Sequence, residues 1–140
     1  MPKLRSLFVL VICFIFISSC ANTSARLLDS DESALKLRSI QSRVFDTTDT
    51  ETTLRTIIST MQDLSFVINK ADLELGSISG TKLKGYILDM TVSVRPRGEN
   101  QLVVRANATL GINPIVEPEP YQDFFTSLEK AMFLTANQID

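Results

Sequence analysis

The side chains of this chain that could do chemistry are limited first by what is missing. There is no histidine, which removes the commonest general base and the commonest transition-metal ligand. Among nucleophiles this leaves serines and threonines with only lysine to activate them. Ser77, Ser79, Lys82 and Lys84 lie close enough in sequence to form a serine–lysine pair. The ordinary alternative, a polar strand face with solvated lysines, is the better reading. Asp72 with Glu74, or Asp29 and Asp31 with Glu32, offer oxygens to a calcium ion, but neither run has the length or the closing glutamate of an EF-hand loop. A glycosidase-style carboxylate pair has no spacing here to single it out. Gly76, Gly80 and Gly85 lack the spacing and the Lys-Ser/Thr step of a phosphate loop, and read instead as strand bends or close backbone approaches. Asn107-Ala-Thr109 matches a glycosylation sequon, a three-residue pattern that carries no weight by itself. No residue is assigned as catalytic, metal-ligating or cofactor-binding, and the chain reads as a non-enzyme.

Cys20 is different, because its surroundings give it a specific fate. Lys3 and Arg5 precede an apolar run from Leu7 to Ile17, then come Ser18, Ser19 and the cysteine. A charged start, an apolar stretch and small residues at a cleavage point make a secretory signal. With the cysteine directly after the small pair, the segment resembles a lipobox. That resemblance implies diacylglycerol on the Cys20 sulfur, cleavage before Cys20, and acylation of the new amino terminus. The apolar run is too short for a membrane span, which needs roughly 20 residues. An ordinary cleaved signal with a cysteine nearby is the remaining rival. Several acyl chains on one residue anchor firmly, whereas one anchors weakly. Ala21 follows the cysteine rather than an aspartate, which by analogy with enterobacterial sorting favours the outer membrane.

Cleavage after residue 19 leaves 121 of the 140 residues, room for one domain with a real core. Without Lys3 and Arg5, 12 basic residues face 16 acidic ones, a net charge of −4. A mildly acidic domain is a poor nucleic-acid binder, which needs a clustered basic face. Cys13 leaves with the signal and Cys20 becomes a thioether, so no disulfide is expected and an apolar core must hold the domain together.

Residues 20–37 read as the lipidated cysteine and a flexible tether, with a short helix as the alternative. A single domain then spans 38–140. A first strand is expected over about 38–46. Thr48 with Glu51 matches a capping box, opening a helix whose Leu54, Ile57, Ile58, Met61 and Leu64 share one face, with Arg55, Thr56, Ser59, Gln62 and Asp63 on the other. Strand character follows at Phe66–Ile68 and in the glycine-bounded segment 76–82. Two alternating runs, Tyr86–Val94 and Leu102–Leu110, form a hairpin across a turn at 96–100. Residues 111–120 hold three of the five prolines and read as a loop. Its stiff part, Ile115 to Pro120, is a candidate contact segment. Tyr121, Phe124, Phe125, Leu128, Met132 and Phe133 recur at helical spacing, giving a second amphipathic helix that starts near Pro120 and frays over 135–140. Phe124 and Phe125 lie about 100° apart, so both are buried only by a wide contact.

The expected architecture is α+β: an antiparallel sheet of about four to five strands with two amphipathic helices on one face, in β-α-β-β-β-α order. Between Arg43 and Leu83, the run RVFDTTD followed by LRTIISTMQDLSFVINKADLELGSISGTK places Met61-Gln-Asp-Leu-Ser-Phe66 between a helix and a strand, then an acid and a Gly-Ser-Ile turn. This resembles a family of small bacterial envelope lipoproteins and is more distantly similar to the helix-grip domains of BamC, a lipoprotein of the outer-membrane protein assembly machine. Ser65 stands where glycine would be commoner in that pattern. The resemblance implies a fold and an envelope location, with no catalytic residues to carry over. The expectation is a periplasm-facing lipoprotein of the outer membrane, held to it through Cys20, that acts as an accessory or scaffold subunit for another envelope protein in assembly or efflux machinery. A small-molecule or lipid-binding module with a pocket between helices and sheet is the second reading.

Overall fold

A computed structural model describes residues 33–85 and 87–136. The signal segment, Cys20, Tyr86 and residues 137–140 lie outside them. The chain divides into two units between Lys36 and Leu37. Residues 33–36, the described end of the first, are helical.

In the second unit the helical backbone continues through residue 40, so the first strand starts later than the expected 38. The order is then β1 (Ser42–Phe45), α1 (Thr50–Asp63), β2 (Phe66–Asp72), β3 (Ser77–Lys82), β4 (Leu88–Arg97), β5 (Gln101–Leu110), β6 (Asn113–Pro114) and α2 (Glu119–Ala136). The six-stranded antiparallel sheet runs β1-β5-β4-β3-β2, with β6 beside β5. It is an α+β fold with one strand more after the first helix than the expected order, plus the short β6. β5 is flanked by β4 on one side and by β1 and β6 in succession on the other.

Alternation along the strands separates two faces. Ile78, Leu88, Met90, Val92, Val94, Leu102, Val104, Ala106 and Ala108 point inward and are buried with Phe66. Leu54, Ile57 and Met61 of α1 and Tyr121, Phe124, Phe125 and Leu128 of α2 complete the core. Both helices therefore lie on one face of the sheet. The alanines of β5 leave room for the aromatic face of α2. Phe124 and Phe125 are both buried, edge to face, with centroids 5.1 Å apart. The apolar stripe of α2 stops short of its end: Phe133 is 66% exposed.

Several local expectations are corrected. The cap of α1 is Asp49, not Thr48. Its carboxylate accepts from the Thr52 amide at 2.9 Å and the Thr52 hydroxyl at 2.6 Å. Glu51 instead pairs with Arg55 at 2.7 Å. Thr56 is buried rather than exposed, as are Thr53 and Thr60. Thr53 and Thr56 donate to carbonyls four residues back, whereas the Thr60 hydroxyl has no partner among the described residues. β4 runs on through Pro96 and Arg97, which shortens the expected turn. The Val94 amide donates to Gly76 across the strand pair. Two residues further on, Pro96 faces the same side past the end of β3, where its missing N–H leaves no ladder bond unmade. α2 stays helical through Ala136, one residue beyond the expected start of fraying.

Two connections are tight. Ser65 holds a left-handed φ of 69° between α1 and β2, the conformation that glycine adopts without strain. Gly80 lies under α1: a Cβ there would stand 2.9 Å from the Val67 carbonyl oxygen and 3.0 Å from Met61 Cε. The glycine lets helix and sheet approach closely.

Candidate functional site

Among the described residues, the chemical candidates of the sequence do not assemble. Strand parity puts Ser77 and Ser79 on the open outer face of β3, while Lys82 points to the helical side, its ammonium 5.8 Å from the centre of the Phe66 ring. A serine–lysine pair is thereby excluded for Lys82, and Lys84 lies beyond the strand in the connection to β4. Asp72 accepts from the Leu75 amide at 2.8 Å and lies 3.9 Å from Lys70, which makes it a turn-forming residue. Asp29, Asp31 and Glu32 lie outside the described residues. Among the described residues no three acidic or cysteine side chains converge in a way that could hold a metal ion. The outer sheet face is polar throughout its centre, with Asn69 donating to Thr81 and Thr81 to Asp89.

Among the described residues the fold builds an open cleft at each of two opposite ends of the helical layer. The first, of about 470 Å³, lies where α1 ends and α2 begins. Phe66, Leu88 and Ile115 form its buried apolar floor, Leu64 and Leu110 its walls, and Lys82, Glu117, Glu119 and Asp123 its mouth. The second, of about 770 Å³, lies where α1 begins and α2 ends. It is lined by Phe45, Met132 and Phe133 together with Asp46, Asp49, Thr52, Thr53 and Glu129.

A buried hydroxyl positions Ile115, part of the floor of the first cleft. Tyr121 donates to the Ile115 carbonyl at 2.7 Å and accepts from the Ala108 amide and from Gln41 Nε2, both at 3.2 Å. Along the same edge of β5 the Ala106 amide donates to the Gln41 carbonyl, and the Ile115 amide to the Ala108 carbonyl. Tyr121 thus fills the gap between β1 and β6, satisfying groups that burial would otherwise leave unpaired. It fixes the Ile115–Pro120 segment against the sheet. That segment, singled out by its prolines, supplies Ile115, Glu117, Glu119 and Pro120 to the cleft.

The same end of the molecule exposes large apolar side chains. Ile112 at the tip of the β5–β6 hairpin is 95% exposed, Leu83 65%, Ile87 59%, Val116 58% and Leu110 47%. Gly111, at φ 62°, takes the first central position of that two-residue turn, where a left-handed residue is needed. The register brings the backbone at these positions to one end of the sheet, because Leu88 pairs with Lys82 and directly precedes Asp89, the partner of Thr109; of the five, Leu110 lines the cleft. Solitary exposed leucines are ordinary, whereas a group of them beside a cleft marks a contact surface.

No protein-family model matches this chain, and no curated protein matches it significantly.

Proposed function

We propose that this chain is a lipid-anchored accessory protein of the bacterial cell envelope, without catalytic activity, that binds another envelope protein through the end of its sheet where the first cleft opens. Lipid on Cys20 holds it at the outer membrane, facing the periplasm. The reading rests on one observation above the rest: Leu110, half in solvent, lines a preformed apolar cleft, and Leu83, Ile87, Ile112 and Val116, each one or two residues from a lining residue in sequence, are exposed. Exposed apolar groups of this kind lower the solubility of a free domain, and a partner that covers them removes that cost. The free edge of β2 is the weaker candidate surface. It carries Lys70 and is interrupted by a bulge between Ile68 and Lys70, devices that blunt strand addition.

The second reading is a carrier of a small apolar molecule. The position of the first cleft between helices and sheet favours it, and 470 Å³ lies within the range of ligand pockets. Its charged, open mouth favours a protein partner instead.

The test is photo-cross-linking in the native envelope, with a benzophenone side chain at position 112 or 87 and, for comparison, at position 91 on the outer sheet face. A single protein captured at 112 and 87 but not at 91 supports the reading. Capture confined to 91, or a co-purified small molecule with no protein, defeats it. Cys20→Ser should abolish palmitate labelling and leave the precursor uncleaved. Normal labelling of that variant would remove the anchor.

A further inference from the structure

Resting on that reading, we infer that the first cleft receives a segment of the partner protein in which an apolar side chain is flanked by lysines or arginines. The apolar floor of Phe66, Leu88 and Ile115 takes the anchor, and the carboxylates at the mouth take the flanking cations.

The argument is one of charge. Glu119 and Asp123 stand four residues apart on α2, a spacing that puts like charges on one helix face and destabilises the helix. Neither receives a hydrogen bond or an ion pair from the described residues. Glu119 gains from the positive end of the helix dipole, but that field fades within the first turn and leaves Asp123 without the same compensation. Glu117 adds a third carboxylate, engaged only with the amide of its neighbour Val116 at 3.2 Å. The single cation of the mouth, Lys82, lies over the Phe66 ring. The cleft thus presents an apolar interior inside a net negative rim. Such a rim repels an anionic bilayer surface, and an uncharged lipid would leave its carboxylates unpaired, whereas a basic flank relieves the repulsion between Glu119 and Asp123. Complementarity of this kind sets partner choice more than raw affinity.

The experiment uses the full chain, reconstituted in phosphatidylcholine vesicles, and three dye-labelled peptides. Each has a central leucine-phenylalanine-leucine, flanked on both sides by two arginines, two glutamines or two glutamates. Binding is read by fluorescence anisotropy against empty vesicles. The arginine-flanked peptide should bind about tenfold tighter than the glutamine-flanked one, and the glutamate-flanked peptide weakest of all. The advantage should shrink in 0.5 M salt, where the Debye length falls to roughly 4 Å. Asp123→Lys should remove the arginine preference, while Glu99→Lys, which changes net charge equally in the β4–β5 turn, should keep it. Circular dichroism confirms that both variants fold.

Equal binding of the three peptides overturns the inference, as does an arginine preference that survives Asp123→Lys or is lost equally in Glu99→Lys. If the benzophenone at position 112 labels only acyl chains in these vesicles, with the peptide present, a bilayer covers the cleft and the inference fails. These failures are separable from failure of the functional reading. A protein partner captured at position 112 in the envelope, without charge preference in the peptide assay, leaves the docking surface standing and removes only its basic ligand.

Discussion

The two clefts of the helical layer share an apolar lining and acidic margins, but their carboxylates are engaged differently. At the second cleft each is bound within the fold. Asp49 caps α1, Asp46 accepts from Gln101 at 2.6 Å, and Glu129 lies 3.7 Å from Arg43, whose guanidinium in turn covers Phe125. At the first cleft, Glu119 and Asp123 answer to no group of the described chain, and the apolar side chains beside them remain in water. Both ends leave apolar side chains in water, Phe133 at the second cleft and Leu110 at the first, so the difference lies in charge: one end has its carboxylates paired and the other does not. A rigid scaffold holding unpaired groups is how a recognition surface differs from a structural one.

The comparison breaks most clearly at Tyr121. Tyr121→Phe keeps the ring and removes the hydroxyl shared by Gln41, Ala108 and Ile115. Leaving those buried groups unpaired should cost about 3 kcal/mol in urea unfolding. Hydrogen exchange should rise at Ala108 and Ile115 beside the first cleft and stay unchanged around Asp49. A loss below about 0.5 kcal/mol would mean that the seal does not hold this end in shape.

Ser65→Gly tests the same end in the opposite direction. It relieves a left-handed backbone at an entropic cost in the unfolded chain, and should stabilise by about 0.5–1 kcal/mol. A destabilised variant would show that the Ser65 side chain contributes something its backbone strain does not reveal.

At the second cleft, Thr52 holds the Asp49 carboxyl below the ordinary carboxylate range, through its hydroxyl first and its amide next. A depressed pKa in the folded state makes this a contribution that is complete at neutral pH. It disappears as pH falls below about 4, through the folded value. Asp49→Ala should therefore melt at a lower temperature than the parent at pH 7, with the gap closing on acidification. A gap independent of pH would refute the assignment of this carboxylate as the cap.

The smallest effect on stability is expected at Ile112. Ile112→Asp lies in solvent and should change unfolding by no more than about 0.5 kcal/mol, yet it should abolish capture of the partner from the envelope. If capture persists, the exposed group at this end is not the docking surface.

These contrasts show what the sequence made legible. The helical faces and the two long alternating strands were readable because burial on one side imposes a period on residue type, and Leu54, Ile57, Met61, Phe124 and Leu128 obey it. Ser65, at a position where the resembled pattern more often has glycine, holds a positive φ of 69°, a backbone that glycine adopts without strain. Thr53, Thr56 and Thr60 were not readable as interior residues, since two of them are buried by hydroxyl bonds to their own helix rather than by apolar character. β6 was invisible because it is two residues long and one is proline. The cap moved from Thr48 to Asp49 because neighbouring Thr and Asp side chains compete for the same amides, and only geometry decides between them. Of the candidate site, the stiff Ile115–Pro120 segment was legible from its prolines. The meeting of Lys82, Asp123 and Phe66 depends on strand register and on contacts far apart in sequence, which no local pattern encodes.

The hydroxyl of Tyr121 also imposes an order of events. Its bond to Gln41 joins residues 80 apart in the chain, and loops of that length close late in folding. As the chain is synthesised from its amino terminus, β1 emerges first and β5 much later. The gap in the β5 edge beyond β1 is closed only after residue 121 has emerged. Until then the edge stands ready to pair with another chain, so the vulnerable interval of this protein is the one that precedes completion of its last helix.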